Sequence, residues 1–186
     1  MSLREVFFIV AVLALVLVLA WMAVKAVLRN RGSANSSWGA LLGRLVEIDR
    51  MALQEVALDL VDKTGVPRTD EERGTLNSDQ VWNLLGGLEG LERIEANCRV
   101  LIEMASYLQR WYPESLAVSE SLRLGAREID WHVSRIKAAS KTGKLEATFL
   151  MYAQPAAAAY YRMTRLLLAL YAATDNAMWG QLEKAI

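Results

Sequence analysis

From Val6 to Val24 the chain reads VFFIVAVLALVLVLAWMAV, nineteen consecutive residues without a charge, a proline or a glycine. At about 1.5 Å of rise per residue, a helix of that length covers roughly 28 Å. That is close to the hydrocarbon thickness of a bilayer, and a helix satisfies its own backbone groups where water is absent. The pattern predicts a single transmembrane anchor within residues 1–29, with Val6, Phe7 and Phe8 near one end and Trp21 and Val24 near the other. A cleaved signal peptide fits less well. Its apolar core usually runs about 7 to 15 residues and follows its positive charges, whereas here Lys25, Arg29 and Arg31 come after the run.

Residues 30–37, NRGSANSS, are small and polar and read as a flexible linker. From Trp38 onward the apolar positions recur at three and four residues, and almost nothing alternates as a strand does, so residues 38–186 are expected to form an all-α bundle domain. A first helix is expected over 38–63, with Leu41, Leu45, Ile48, Ala52, Val56 and Leu60 on one face, ending at Thr64-Gly65-Val66-Pro67. A charged loop follows through Arg68 to Gly74. Asn77 or Ser78 opens the second helix, with Gln80 three residues after Asn77 in the manner of a capping box.

Within that helix Leu91, Ile94, Cys98, Leu101, Ala105, Leu108 and Tyr112 alternate steps of three and four, a heptad seam. Gly86, Gly87 and Gly90 each weaken its earlier half by about 0.8 to 1 kcal/mol relative to alanine, which points to a break or a close crossing near Gly86. Pro113 stops it. A third helix carries Leu122, Ala126, Ile129, Val133 and Ile136 inward and ends near 141–143. A fourth starts near Lys144, is apolar nearly all round, and contains Pro155, which is expected to bend it at Gln154. Short connections favour antiparallel neighbours, so the expected fold is an N-terminal single transmembrane helix followed by an antiparallel four-helix, up-down-up-down bundle.

Charge refines the picture. The 186 residues hold 21 basic and 21 acidic side chains, so no bulk electrostatic footprint points to nucleic acid. The balance hides an asymmetry: residues 1–31 hold Arg4, Lys25, Arg29 and Arg31 against Glu5, and the remainder is mildly acidic. By the positive-inside rule, Lys25, Arg29 and Arg31 after the span place the bulk of the chain on the cytoplasmic side of the cell membrane.

Candidate chemistry is sparse. With His132 the only histidine and Cys98 the only cysteine, one chain cannot build a histidine-based zinc site, a thiolate cluster or an intrachain disulfide. Ser134-x-x-Lys137 with Lys141-Thr142-Gly143 resembles penicillin-recognising motifs only superficially, because those motifs converge from separate parts of a mixed domain, whereas here they adjoin on one helix end. No catalytic, cofactor-binding or metal residue is identified, no cofactor is implied, and no small-molecule substrate is indicated. The candidate anion or partner contacts are Arg162 and Arg165, which project from the apolar fourth helix, and Arg135, Lys137, Lys141 and Lys144 near the end of the third. For Arg162 and Arg165 the simplest expectation is that both reach solvent along one polar strip, their stems covering apolar surface.

The sequence therefore leads to an expectation of a non-enzymatic, single-pass membrane protein whose bundle binds another protein or itself. Its partners would be membrane lipid through the N-terminal helix, and a protein partner or a second copy through the bundle. The alternative is a membrane-linked sensor that transmits helix shifts, with Pro155 and the diglycine as adjustable points.

Overall fold

A computed structural model describes residues 12–13, 16–18, 20–21, 37–69, 74–109, 111–174 and 178–186. The chain divides into two compact units, Met1–Ser37 and Trp38–Ile186. In the first, the described residues are helical with exposed apolar side chains, among them Leu17 and Trp21. The expected membrane-spanning helix is not supported by them: among the described residues no helix is long and apolar enough to cross a membrane. Val6, Phe7, Phe8, Val24, Lys25, Arg29 and Arg31 lie outside the described residues.

The second unit is a helical bundle without strands among its described residues. Its helices are α1 (Trp38–Leu42), α2 (Arg50–Leu58), α3 (Ser78–Leu85), α4 (Gly87–Leu108), α5 (Ser115–Lys141), α6 (Leu145–Ala173) and α7 (Trp179–Ala185). Helix α6 packs against α2, α3, α4, α5 and α7, which accounts for its all-round apolar sequence. Phe149, Ala153, Ala156, Ala159, Met163, Leu167 and Tyr171 are buried along its length. It runs through Pro155 as one helix.

Cross-helix contacts fix the directions. Lys137 near the end of α5 bonds Glu95 near the start of α4, while Gln109 just past α4 bonds Ser119 near the start of α5. These two helices are antiparallel. Glu128 and His132 of α5 meet Arg162 and Tyr152 of α6 in the same reversed order. Asn97 and Met104 of α4 meet Tyr160 and Tyr171 of α6 in the same order, so α4 and α6 run parallel.

The expected single helix over 38–63 is instead two short helices joined by an extended segment. Asn97 causes the break. The Val46 N–H donates to Asn97 Oδ1 at 2.8 Å, and Asn97 Nδ2 donates to the Val46 carbonyl at 2.8 Å, so a buried amide takes up backbone groups that a helix would have paired internally. Asp49 then restarts the helix as N-cap, accepting from the Ala52 N–H at 3.0 Å. The bundle thus has three long helices, α4, α5 and α6, with a fourth layer of α2 and α3 packed together on α6, while α1 packs on α4.

Asp59, just past α2, secures that layer. Its carboxylate accepts from the Thr75 N–H at 2.9 Å, the Thr75 hydroxyl, and Gln154 Nε2 of α6 at 2.6 Å. Burial pushes the Asp59 carboxyl up, but these bonds, with a longer one from the Leu76 N–H, outweigh it and hold the group below the ordinary aspartate range.

Asn77 and Gln80 form the expected capping box on α3. The diglycine then separates α3 from α4: Gly86 and Gly87 take φ of 73° and 65°, which only glycine adopts readily. Gly90 is the tightest point, because a Cβ there would lie 1.6 Å from the Leu85 carbonyl oxygen.

Two predictions follow from this packing. Gly90→Ala forces the α3–α4 step apart and destabilises the chain by about 2 kcal/mol or more, whereas Gly39→Ala, whose Cβ meets nothing within 4 Å, stays within about 1 kcal/mol of wild type. Thermal unfolding followed by circular dichroism separates the two. Asp59→Asn costs about 1 to 3 kcal/mol at neutral pH by disturbing buried donors. Because the folded-state pKa of Asp59 is lowered, the charge-dependent part of that difference is fully present above the unfolded aspartate value of about 4 and is lost as pH falls through the folded value. Denaturant titrations of both proteins from pH 7 downward measure it.

Candidate functional site

Helix α5 buries Leu122, Ile129, Val133 and Ile136 against the bundle and leaves its other side open. Along that open side Ala117, Leu124, Trp131 and Ala138 recur every seven residues, and all four are exposed; Leu124 is 64% exposed and Trp131 50%. A seven-residue repeat keeps side chains near one line of a helix, so these four form a continuous ridge. Glu120, Arg127 and Ser134 flank it towards α4. Ser121, Glu128 and Arg135 flank it towards α6.

The α6 flank is held in place. Arg162 Nη2 donates to both Glu128 oxygens at 2.9 and 3.1 Å, and its stem passes beside Gly65, where a Cβ would meet Arg162 Cγ at 3.1 Å. Gly125 lets the two helices approach, since a Cβ there would meet Met163 Cγ at 2.9 Å. A groove of about 330 Å³ opens beside Leu124, lined by Ser121, Gly125, Glu128, Arg162 and Leu166.

Further along, Trp131, His132 and Tyr152 form an aromatic cluster, with Trp131 and His132 ring centres 4.9 Å apart and Trp131 and Tyr152 5.7 Å apart. The Arg135 guanidinium lies 5.3 Å from the Trp131 ring centre, a cation–π placement. His132 Nδ1 is buried without a hydrogen-bond partner. Burial lowers the His132 pKa, Glu128 opposes that and Arg162 adds to it, so the imidazole is neutral at physiological pH.

The six basic candidates are not one constellation. Arg162 is paired with Glu128, and Arg165, three residues further along α6, is exposed and rims a cleft of about 190 Å³ with Leu53, Gln54 and Leu168. Lys137 is neutralised by Glu95 at 2.9 Å and Glu92 at 3.5 Å, and the Glu95 bond raises its pKa. Lys141 and Lys144 are exposed without an ion-pair partner among the described residues. Drug-sized ligands usually occupy about 300 to 1,000 Å³, so the Arg165 cleft is small for one.

Groups with chemical potential are tied up. Cys98 donates its Sγ–H to the Ile94 carbonyl at 3.1 Å, and burial, with Glu95 adding, pushes its thiol up to about 12. Such a thiol stays protonated and is a poor nucleophile. Among the described residues no group of three or more histidines, cysteines and carboxylates could hold a metal ion.

The seven-residue spacing of Leu124 and Trp131 is visible in the sequence, but it runs alongside the stronger repeat of Leu122, Ile129 and Ile136, and only the fold shows which of the two is exposed. No protein-family model, curated protein or solved structure gives a significant match to this chain.

The Arg162–Glu128 pair is part-exposed, and pairs of that kind contribute about 0.2 to 1 kcal/mol. A double-mutant cycle with Arg162→Ala and Glu128→Ala is expected to return a coupling in that range by chemical denaturation. A coupling of 3 kcal/mol or more would mark a desolvated pair instead.

Proposed function

We propose that this chain is a single-pass, membrane-anchored protein whose helical bundle acts in protein–protein interaction or scaffolding, with the bulk of the chain on the cytoplasmic side of the cell membrane. Support for the anchor is the uninterrupted apolar run Val6–Val24, and support for the orientation is the cluster Lys25, Arg29 and Arg31 that follows it. The observation that carries the interaction reading is the exposed ridge Ala117–Leu124–Trp131–Ala138 with its charged borders. Exposed aromatic and aliphatic side chains in a row, rimmed by Arg and Glu, have the make-up of a docking surface, in which tryptophan and arginine are the favoured anchors.

Two measurements test it. The full chain should stay in the membrane pellet after alkaline carbonate washing; release into the supernatant sinks the anchor. Trp131→Glu should abolish a crosslinked species formed by the full chain in its native membrane while the chain stays folded, its unfolding temperature falling by only a few degrees through the lost contacts with His132, Tyr152 and Arg135. A crosslinking pattern indifferent to Trp131→Glu and Leu124→Glu removes the ridge from consideration.

A further inference from the structure

The exposed face of α5 carries an order in its charges. Glu114, just before α5, and Glu120 lie at its N-terminal end and Arg135 and Lys141 at its C-terminal end, with Arg127, Glu128 and Asp130 between them. A face that runs from acidic to basic is matched by its own reverse. Resting on the reading of this face as an interaction surface, we infer that it pairs with the same face of a second copy of this chain, antiparallel, about a two-fold axis at Leu124.

The geometry of a two-fold sets the partners. Rotation reverses the helix direction but keeps each flank on its own side, so a ridge residue before the axis meets the ridge residue equally far beyond it, and a flank residue meets one on the same flank at the same distance to within one position. With the axis at Leu124, the two Leu124 side chains meet beside the groove that Gly125 and Met163 leave between α5 and α6. Trp131 meets Ala117 of the second copy, where a small side chain leaves room for the indole. On the flank towards α4, Glu120 faces Arg127 of the second copy. On the flank towards α6, Glu114 faces Arg135, and Ser121 faces Glu128. Symmetry makes every pair twice.

In a parallel arrangement each flank would meet the opposite flank of the second copy, Arg127 facing Glu128 instead of Glu120, so that exchanging Glu120 and Arg127 would not restore the pairing. Arg127 has no ion-pair partner among the described residues, and Glu120 bonds only Arg123 of its own helix. Both therefore remain able to reach across. Moving the axis to Trp131 would stack two indoles and set Arg127 against Ser134, so the two registers differ in which charge swap they tolerate.

The test uses the full chain in native membranes and in detergent. Under mild oxidation, Leu124→Cys should give a disulfide-linked dimer, whereas Lys184→Cys, exposed on α7, and the wild type, whose Cys98 is buried, should not. By sedimentation equilibrium in detergent, Glu120→Arg and Arg127→Glu should each weaken the dimer on the order of tenfold, since each opposes like charges twice. The double variant Glu120→Arg/Arg127→Glu should return to within about twofold of wild type. No Leu124→Cys dimer from a chain with wild-type unfolding temperature overturns the inference, as does a double variant no tighter than the singles. A chain monomeric throughout, whose crosslinked species in the membrane still disappears on Leu124→Glu, sinks self-pairing and leaves the interaction reading standing; loss of both results sinks both.

Discussion

A helix that is apolar on nearly every side has to be covered on every side, and α6 imposes that requirement on the rest of the bundle. With Phe149, Ala156, Ala159, Leu167 and Tyr171 fully or almost fully buried, it cannot be satisfied by the α4–α5 hairpin alone. The remaining surface is closed by α2, α3 and α7. Fully burying side chains such as Phe149 and Leu167 contributes about 1.5 to 3 kcal/mol each, so covering α6 outweighs the local preferences of the short segments recruited to do it.

Those segments are held by polar contacts because they are too short to be held by apolar ones. Helix α1 has five residues and α2 nine, below the length at which a helix persists alone. Asn97 holds the extended stretch before α2, Asp59 holds the end of α2 to α6, and Trp38 donates to Gln181 at 2.8 Å while its ring packs on Tyr171. Each contact satisfies backbone or amide groups that burial would otherwise leave unpaired, which costs more than the bond itself returns.

The long helices were legible in the sequence because each carries a repeat over many residues. The heptad seam of α4, the inner face of α5 and the all-round apolarity of α6 are local signals that packing reinforces. The break in the expected first helix was not legible, since its cause sits at Asn97, about fifty residues away, and a single asparagine beside a heptad seam carries no mark of what it will bind. Asp59 was hidden in the same way, its partners being Thr75 and Gln154. The basic residues were visible as types, but their pairing was not: Lys137 and Arg162 are neutralised across helices, and only the fold decides which cations remain free.

The same fastening at Asp59 has a consequence for the chain's tolerance to length. The Arg68 N–H donates to the Leu60 carbonyl at 2.9 Å and the Thr75 N–H to Asp59, so the stretch between these two points leaves and rejoins the bundle at adjacent positions on α2's end. A segment closed at its base adds entropy only with the logarithm of its size, about 0.6 kcal/mol per doubling. Evolution, or an experimenter inserting an epitope, can enlarge the chain between these two points while both anchoring bonds are kept.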